Sequence, residues 1–241
     1  MTRATSFLEE HIEVTRRRLM QLGAAGLASG LLGNASTTAG EAEVELKKLV
    51  ADLEYLTRAS EFGTVERGNP KPYTLPPEKL KAAGMTRETW RLEVVPDPES
   101  NSKVERPLRR ADGTALDFAG LMKLADKHAV RFLKVMTCNN GGSPLGTGLW
   151  EGVPLREAVW MARPVENVRR VFFDGYHNLD PKQLFRGSLP IGRVLEDPPG
   201  TPPVILCYKL NGDWISGKRG GPVRMVIPEA YGFRNIKWLN R

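Results

Sequence analysis

The segment Val130-Arg-Phe-Leu-Lys-Val-Met-Thr-Cys138, followed by Asn139-Asn-Gly-Gly142, is the most informative stretch of this 241-residue chain. Its apolar and β-branched residues predict a buried strand, and the Asn/Gly cluster predicts a loop where the strand ends. The Cys138 thiol is therefore presented beside glycines, which let a ligand approach the backbone closely. A thiolate is a good ligand for a transition metal, but an isolated cysteine is also common as a small buried residue. This segment alone leaves both interpretations open.

The composition is that of a soluble globular chain with a basic charge balance. Hydrophobic residues make up 41% of the chain and the formal net charge is +7, which favours an anionic partner such as nucleic acid, anionic lipid or a phosphate-bearing cofactor. The chain contains no zinc-finger motif, RNP-like aromatic motif or long Lys/Arg tract, so we expect no nucleic-acid partner. The two cysteines have no CxxC or Cys/His spacing, which argues against zinc, iron–sulfur and attached haem sites.

The N-terminal region carries the pattern of an export signal. Thr15-Arg-Arg-Arg-Leu-Met-Gln21 precedes an apolar, Ala/Gly-rich stretch over residues 22–32, which matches a twin-arginine signal. That stretch is too short for a membrane span. The alternative is an amphipathic N-terminal helix with a basic edge. We expect residues 1–40 to be the signal, residues 41–241 to form the domain, and the protein to be periplasmic or otherwise exported.

The rest of the chain alternates short helical and strand patterns. Asn211-Gly212 between two apolar runs predicts a type I′ hairpin, and Asp117 predicts the N-cap of a helix. Mixed strands with a few helices predict an α+β domain. Further helices are predicted over residues 41–60 and 77–83, and strands over residues 90–95, 130–137, 168–173, 204–210, 223–227 and 235–239.

A basic cluster follows the hairpin, in Lys218-Arg-Gly-Gly-Pro-Val-Arg224 and Arg234-Asn-Ile-Lys237. Its glycines allow close approach and its arginines can hold phosphate bidentately, although a solvated basic face is the alternative. Residues 212–218 also fit the GxxxxGK pattern of a P-loop. Arg219 stands where that motif needs Ser or Thr, and the following Gly-Gly-Pro cannot begin a helix, so a P-loop is excluded. Together with Cys138, the cluster predicts a metal carried on a phosphorylated organic cofactor.

Several short motifs occur in order from Cys138 onward. They are Cys138 with Asn140, Trp150-Glu-Gly-Val-Pro-Leu155, Phe173-Asp-Gly175, Ser188-Leu-Pro190, Lys209-Leu-Asn-Gly212, Gly221-Pro-Val-Arg224, Pro228, and Tyr231-Gly-Phe-Arg-Asn-Ile-Lys-Trp238. Together these motifs resemble the sulfite oxidase family of molybdopterin-dependent oxidoreductases. Glu61-Phe-Gly-Thr64 further resembles the exported protein-methionine-sulfoxide reductase catalytic subunits, which also carry a twin-arginine signal.

The resemblance implies a mixed, mostly β fold of the sulfite-oxidase type with Mo-molybdopterin as the cofactor. By the same resemblance, Cys138 is the catalytic residue and the metal ligand. Arg219 stands in place of an Asn or His, and Asp174 falls near a cofactor-contacting Thr. The positions that the resemblance assigns to cofactor binding are Thr57, Ser60, Glu61, Asp174, Arg219, Arg224, Asn235, Ile236 and Lys237.

Departures from the family pattern bear on the substrate. Sulfite oxidases have arginines shortly after the metal cysteine, where this chain has Asn139 and residues 141–143, and a tyrosine where it has Phe185. A sulfite-type oxyanion would lose cationic and hydroxyl partners. The resemblance therefore implies two-electron oxygen-atom transfer, and the departures favour reduction of a small-molecule or protein-bound sulfoxide-type substrate. Electrons would pass to or from a separate protein, either a cytochrome or a quinone-linked haem membrane protein.

Two alternatives stay open, namely a sulfite dehydrogenase of the same family and a non-catalytic molybdopterin-binding protein. Relatives continue beyond the position of Arg241, so we expect an abbreviated member or a truncated chain. We expect Cys207 to be buried packing, because a disulfide with Cys138 would remove the metal ligand. For His177 we expect a surface position, although its turn could reach the pocket.

Overall fold

The computed structural model describes residues 56–138 and 144–241, together with the single positions 44 and 48. The chain divides into two units, residues 1–45 and 46–241, and the fold below is that of the second unit. The predicted signal, nearly all of the predicted helix over residues 41–60, and the loop over residues 139–143 lie outside the described residues. Within the described part, no helix has the length and apolar character needed to cross a membrane.

The described part of the chain contains nine strands and four short helices, which confirms the predicted α+β, mostly β class. The helices are α1 (Pro77–Ala82), α2 (Phe118–His128), α3 (Leu155–Ala162) and α4 (Ile191–Leu195). The strands are β1 (Arg91–Leu92), β2 (Leu116–Asp117), β3 (Val130–Met136), β4 (Gly146–Pro154), β5 (Arg170–Asp174), β6 (Arg186–Pro190), β7 (Ile205–Leu210), β8 (Asp213–Trp214) and β9 (Arg224–Val226).

The main sheet has the order β3-β4-β7-β8, with β9 also paired to β7, and every pairing is antiparallel. Strand β3 alternates between buried Phe132, Lys134 and Met136 and exposed residues on its other face. It pairs with β4 along its whole length, from Val130 to Met136. The predicted strand before Cys138 is therefore confirmed, but it is buried on one face only, because Leu133 and Val135 point away from the core.

Two local signals form the structures that they predict. The Asp117 carboxylate accepts a hydrogen bond from the Gly120 backbone N–H at 2.7 Å, which caps α2. Asn211 and Gly212 have φ values of 54° and 83°, so the turn between β7 and β8 has the two left-handed residues of a type I′ hairpin.

Strand β7 is buried on both faces and divides the core in two. Leu206 and Tyr208 pack in a cluster with Trp90 and Leu121. Ile205 and Cys207 pack on the other side, in a cluster with Phe62 and Trp150. This position explains the continuous apolar sequence of β7, because neither face meets water.

The strand predicted over residues 235–239 is not formed. A 3₁₀ turn over Gly232–Arg234 comes first, and the chain then runs irregularly with a single bridge between Gly175 and Leu239. Trp238 adopts a left-handed backbone with φ of 53°, which breaks an extended ladder. The sequence pattern did not predict strands β4 and β6 or helices α3 and α4.

Candidate functional site

Cys138 lies just past the end of β3, half-buried, in a cleft that several separate segments line. Both Cys138 and Cys207 are free, and Cys207 is buried in the core, so the two do not form a disulfide. Burial raises the pKa of the Cys207 thiol to about 12, which keeps that thiol protonated at neutral pH. Most of the lining residues fall within residues 62–72, 175–177, 183–185 and 232–238, and Met136, Leu145, Arg219 and Arg224 complete the lining.

Four cationic side chains line the same cleft as Cys138, namely Arg67, Arg219, Arg224 and Lys237. None of the four takes part in an ion pair with a carboxylate anywhere in residues 56–138 or 144–241. Buried charges normally have a partner, so a cluster of cations without one is unfavourable unless an anion binds. The cleft is therefore built for a negatively charged group.

Arg224 is the most deeply buried of the four, with 5% of its surface exposed. Its Nη1 and Nη2 donate to the carbonyl oxygens of Arg219 and Asn235 at 2.7 and 2.8 Å, and its Nε has no hydrogen-bond partner. Burial lowers the pKa of Arg224 to about 10, with repulsion from Arg219 adding to the effect. A buried guanidinium with an unsatisfied N–H fits a phosphate oxygen as the missing acceptor.

Lys237 contributes a second partly buried cation. Its Nζ donates to Thr64 Oγ1 at 2.8 Å and to the carbonyl oxygens of Val65 and Lys218 at 3.1 and 3.0 Å, all of which are neutral acceptors. Burial lowers the pKa of Lys237 to about 7, and Arg224 is the next largest cause. A bound phosphate would reverse that shift, because it favours the charged amine.

Arg219 binds a different part of the chain, the segment over residues 59–63. Its guanidinium donates to the carbonyl oxygens of Gly63 at 2.5 Å, Ala59 at 3.3 Å, and Phe62. The Arg219 side chain thereby holds residues 59–63 against the loop that leads into β9. Burial lowers the pKa of Arg219, and the attraction of Glu66 opposes this shift.

The remaining predicted cofactor contacts differ in whether they line the cleft. Ile236 and Asn235 line the cleft, but the Asn235 side chain is occupied by Ile227 N–H and by two carbonyl oxygens of the preceding loop. Thr57, Ser60 and Glu61 are outside the cleft lining. The Thr57 hydroxyl accepts a hydrogen bond from the Thr147 backbone N–H at 2.9 Å. As cofactor contacts, Thr57, Ser60 and Glu61 stay predictions.

Asp174 is placed in a second cleft, away from the residues that surround Cys138. Its carboxylate lies 3.5 Å from Arg186 Nε. Burial raises the pKa of Asp174, and the attraction of Arg186 and Arg241 opposes that shift. The backbone of Asp174 explains this placement, because its N–H and C=O pair with Arg241 and the next residue, Gly175, turns into the Cys138 cleft. The structure does not bring Asp174 together with the other predicted contacts.

Arg67, His177 and Phe185 line the Cys138 cleft, and of these three only Arg67 had no assignment of any kind from the sequence. The Arg67 guanidinium carbon lies 3.6 Å from the Phe185 ring centroid. Burial lowers the pKa of Arg67, and attraction to the Cys138 thiol partly offsets this. His177 was expected at the surface, but its ring faces the cleft with Nδ1 3.1 Å from Gly175 O. The only sequence signal for Arg67 was its position shortly after Glu61-Phe-Gly-Thr64.

A metal in this cleft would find fewer than three ligands among the protein side chains that the structure describes. No group of three or more His, Cys, Asp or Glu side chains suited to a metal occurs in that part of the chain. The Cys138 thiolate beside a cradle for phosphate instead fits a metal that arrives with ligands of its own. The residues present therefore fit molybdopterin, which brings both a metal and a phosphate.

Comparison with known proteins places this chemistry in a family. Residues 81–241 match the family model described as the oxidoreductase molybdopterin binding domain. The chain belongs to this family. Mo-molybdopterin is therefore its cofactor, and the predicted resemblance to the sulfite oxidase family is confirmed. Its closeness to the exported protein-methionine-sulfoxide reductases stays a prediction.

Nitrate reductases and sulfite oxidases are among the curated proteins similar to this chain in sequence. A nitrate reductase [NADPH] of Fusarium oxysporum is 34% identical over 42% of this chain and 11% of its own length. The mitochondrial sulfite oxidase of Drosophila melanogaster is 33% identical over 42% of this chain and 17% of its own length. That of Rattus norvegicus is 27% identical over 71% of this chain and 32% of its own length. The chain thus spans at most a third of these relatives.

A solved structure shows the same fold. The sulfane dehydrogenase SoxCD from Paracoccus pantotrophus matches with a TM-score of 0.51 and 20% identity, over 78% of this chain and 48% of that one. At this identity the likeness concerns the fold alone. It confirms the predicted sulfite-oxidase-type architecture.

Proposed function

We propose that the protein catalyses two-electron oxygen-atom transfer at a molybdenum–molybdopterin centre, and that its substrate is a sulfoxide-type compound. The observation that carries this proposal is a single cleft that holds both the Cys138 thiol and four cations without carboxylate partners. Reduction of a sulfoxide adds two electrons and two protons to its S=O group and releases a sulfide and water. The electrons come from a separate carrier protein, a cytochrome or a quinone-linked haem membrane protein.

Each part of the cleft has a defined task in this proposal. Cys138 is the protein's ligand to the metal, and Arg224 and Lys237 hold the phosphate. Arg219 acts indirectly, because it holds residues 59–63 in place. When bound, the cofactor supplies the two-electron redox couple and the exchange of an oxygen atom.

The substrate side of the cleft combines donors with apolar walls. Arg67 and His177 line it and can donate hydrogen bonds to a sulfoxide oxygen, which carries partial negative charge. Phe185, Phe233 and Leu145 line the same cleft and suit the alkyl groups of such a substrate. Phe185 has no hydroxyl, which supports a neutral substrate over an oxyanion.

A second candidate is the oxidation of a sulfite-type oxyanion, and one observation favours it. Arg67 supplies a cation beside Cys138 although the family's arginines after the cysteine are missing. The sequence departures therefore weigh less against an anionic substrate than they do on their own. We retain sulfoxide reduction as the leading candidate because of the apolar lining.

Metal and pterin analysis tests the proposal. Protein produced in molybdate-supplied cells should contain stoichiometric molybdenum and pterin, and should reduce a sulfoxide with a reduced viologen dye as electron donor. Cys138→Ser should keep pterin but lose turnover, since a hydroxyl is a poorly matched ligand. Arg224→Ala should lose most of its pterin, because a buried phosphate without its charged hydrogen-bond donor binds about a hundredfold more weakly.

Two matched variants control for effects of substitution alone. Cys207→Ala removes the other cysteine and Arg109→Ala removes an exposed arginine, and both should keep their molybdenum and pterin. Wild-type turnover with bound molybdenum in Cys138→Ser would show that Cys138 is not the ligand. Bound cofactor without oxygen-atom transfer to or from any sulfur compound would instead favour the non-catalytic binding protein.

A further inference from the structure

Lys134 is a buried amine in the middle of β3, the strand that leads to Cys138. Only 8% of its surface is exposed, and its Nζ donates to two carbonyl oxygens, those of Pro228 at 2.8 Å and Ala230 at 2.7 Å. Neither hydrogen bond belongs to the sheet. Both reach across to the loop over residues 228–232, which follows β9, so one ammonium group ties two distant parts of the chain together.

That loop contacts the backbone next to the metal ligand. The Gly232 N–H donates to the Thr137 carbonyl oxygen at 2.5 Å, and Thr137 immediately precedes Cys138. A Cβ atom at Gly232 would lie 2.7 Å from the same oxygen, so the two backbones meet without room for a side chain. The position of this loop therefore sets the position of the residue that carries the thiol.

The same loop also contacts the phosphate-binding side of the cleft. The Asn235 amide donates to the carbonyl oxygens of Ala230 at 3.2 Å and Tyr231 at 2.7 Å. The Asn235 carbonyl in turn accepts the hydrogen bond from Arg224 Nη2 at 2.8 Å. A continuous set of hydrogen bonds thus runs from Lys134 through the loop to Arg224.

We propose that Lys134 is a positioning residue that holds the Cys138 thiol and the Arg224 guanidinium at the separation that one molybdopterin requires. This inference rests on the proposed function, because it assumes that both groups bind the same cofactor. Lys134 does not line the cleft and is not a catalytic residue. Its effect passes entirely through the loop over residues 228–232.

The electrostatic surroundings of Lys134 give this role a pH dependence. Burial lowers the pKa of Lys134 to about 8; attraction to Glu229 opposes the shift and repulsion from Arg224 adds to it. Glu229 itself is held by Arg193, whose Nε lies 2.9 Å from Oε1. Above about pH 8 the amine loses its charge, and hydrogen bonds from a neutral donor to the loop carbonyls are weaker.

The first test uses pterin-free protein, so that it does not depend on activity. In Lys134→Met, amide hydrogen exchange over residues 228–235 should speed up about tenfold, because a charge-assisted hydrogen bond is lost. The alkylation rate of Cys138 should change severalfold, while exchange in β7 stays as in the wild type. Lys123→Met removes an exposed lysine of α2 and should leave all three measurements unchanged.

The pH dependence separates positioning from ordinary packing. The difference in loop exchange between wild type and Lys134→Met should be largest below about pH 8 and shrink above it. Glu229→Gln removes an exposed carboxylate and should move that transition to lower pH, and this variant also serves if Lys134→Met does not fold. A lower melting temperature with wild-type loop exchange and wild-type Cys138 alkylation would overturn the proposal.

Pterin retention tests whether the positioning by Lys134 affects cofactor binding. Lys134→Met should release pterin about tenfold faster than the wild type during dialysis. Altered loop exchange with wild-type pterin retention would also overturn the proposal. If even wild-type protein never binds pterin, the proposed function fails, and the measurements on pterin-free protein still decide whether Lys134 positions the loop.

Discussion

At the scale of single residues, the charge of Lys237 is coupled to cofactor binding. Its pKa is lowered to about 7 by burial and then by Arg224, whereas a phosphate would raise it. At a pH between the pKa of Lys237 in the pterin-free protein and its higher pKa in the complex, cofactor binding takes up a proton. The affinity for the cofactor therefore falls as pH rises, by at most tenfold per pH unit for one group. Pterin retained after dialysis should therefore decrease from about pH 7 upward. Lys237→Arg stays charged, so its retention should be level over the same range.

The same lowered pKa has the opposite effect on the stability of the pterin-free protein. The unfolded chain holds the Lys237 proton up to a pKa of about 10.4, so it binds more protons than the folded chain above about pH 7. Stability of the pterin-free protein should thus rise with pH in this window as far as Lys237 is concerned. Urea unfolding at several pH values measures this stability. The lowered pKa of Lys237 would be contradicted if the free energy of unfolding fell with pH in the wild type and this fall disappeared in Lys237→Arg.

Arg67 is the residue that distinguishes the two candidate substrates. Its guanidinium lies against the Phe185 ring and is attracted to the Cys138 thiol. For an anionic substrate, Arg67→Gln should raise KM by about a hundredfold, because a charge-assisted contact contributes up to about 3 kcal/mol. For a neutral sulfoxide the same change should raise KM by tenfold or less. Initial rates at low and high salt check it, since only the anionic substrate is sensitive to ionic strength.

At the level of secondary structure elements, the pairing of β4 with β7 requires a close approach of the two backbones. The register shifts between Glu151 and Gly152, where the two backbones approach closely. A Cβ atom at Gly152 would lie 2.5 Å from the Leu206 carbonyl oxygen and 2.8 Å from the Cys207 Cα. Backbone atoms cannot yield as a flexible side chain does, so this position requires glycine.

Gly152→Ala should lower the free energy of unfolding by about 3 kcal/mol, which is typical of overpacking in a core. Gly192→Ala is the matched control, because a Cβ there meets no atom within 4 Å. Gly192 lies in α4, where alanine stabilises a helix by up to about 1 kcal/mol. Urea midpoints of the two variants should therefore move in opposite directions. Equal midpoints would show that β4 and β7 can separate without loss.

At the scale of the whole molecule, the site is assembled from segments far apart in sequence. The Arg219 side chain donates a hydrogen bond to the Gly63 carbonyl oxygen, 156 positions away in sequence. The Lys237 amine donates one to the Thr64 hydroxyl, 173 positions away. The segment after Glu61 is therefore closed over the cleft only when the C-terminal part of the chain has folded. A protein that must assemble such a site around a cofactor suits an export route for folded proteins.

The proposed twin-arginine export can be tested on the full chain. Arg16, Arg17 and Arg18 changed together to Lys keep the charge but remove every possible arginine pair. The precursor should then accumulate in the cytoplasm, because the route depends on the arginine pair and not on charge alone. Cell fractionation with immunoblotting measures it. Normal periplasmic levels of the triple variant would show that residues 15–32 are not this signal.

Features that depend on near neighbours could be predicted from the amino-acid sequence. The strand ending before Cys138, the Asp117 cap and the hairpin at Asn211-Gly212 all follow from contacts within a few residues. The ordered motifs around Cys138 and Arg224 were sufficient for the family and the cofactor. Backbone geometry and side-chain periodicity are local, so the chain shows them before it folds.

Which charged side chains face the cleft could not be predicted from the sequence and follows from the folded structure. It brought in Arg67 and His177, turned Asp174 toward Arg186, and used the donors of Arg219 within the chain. The direction of a side chain depends on backbone turns and on partners that are distant in sequence, which no local pattern encodes. Trp238 shows the same limit, because its left-handed backbone follows from contacts with residues 217–220 and not from its neighbours in sequence.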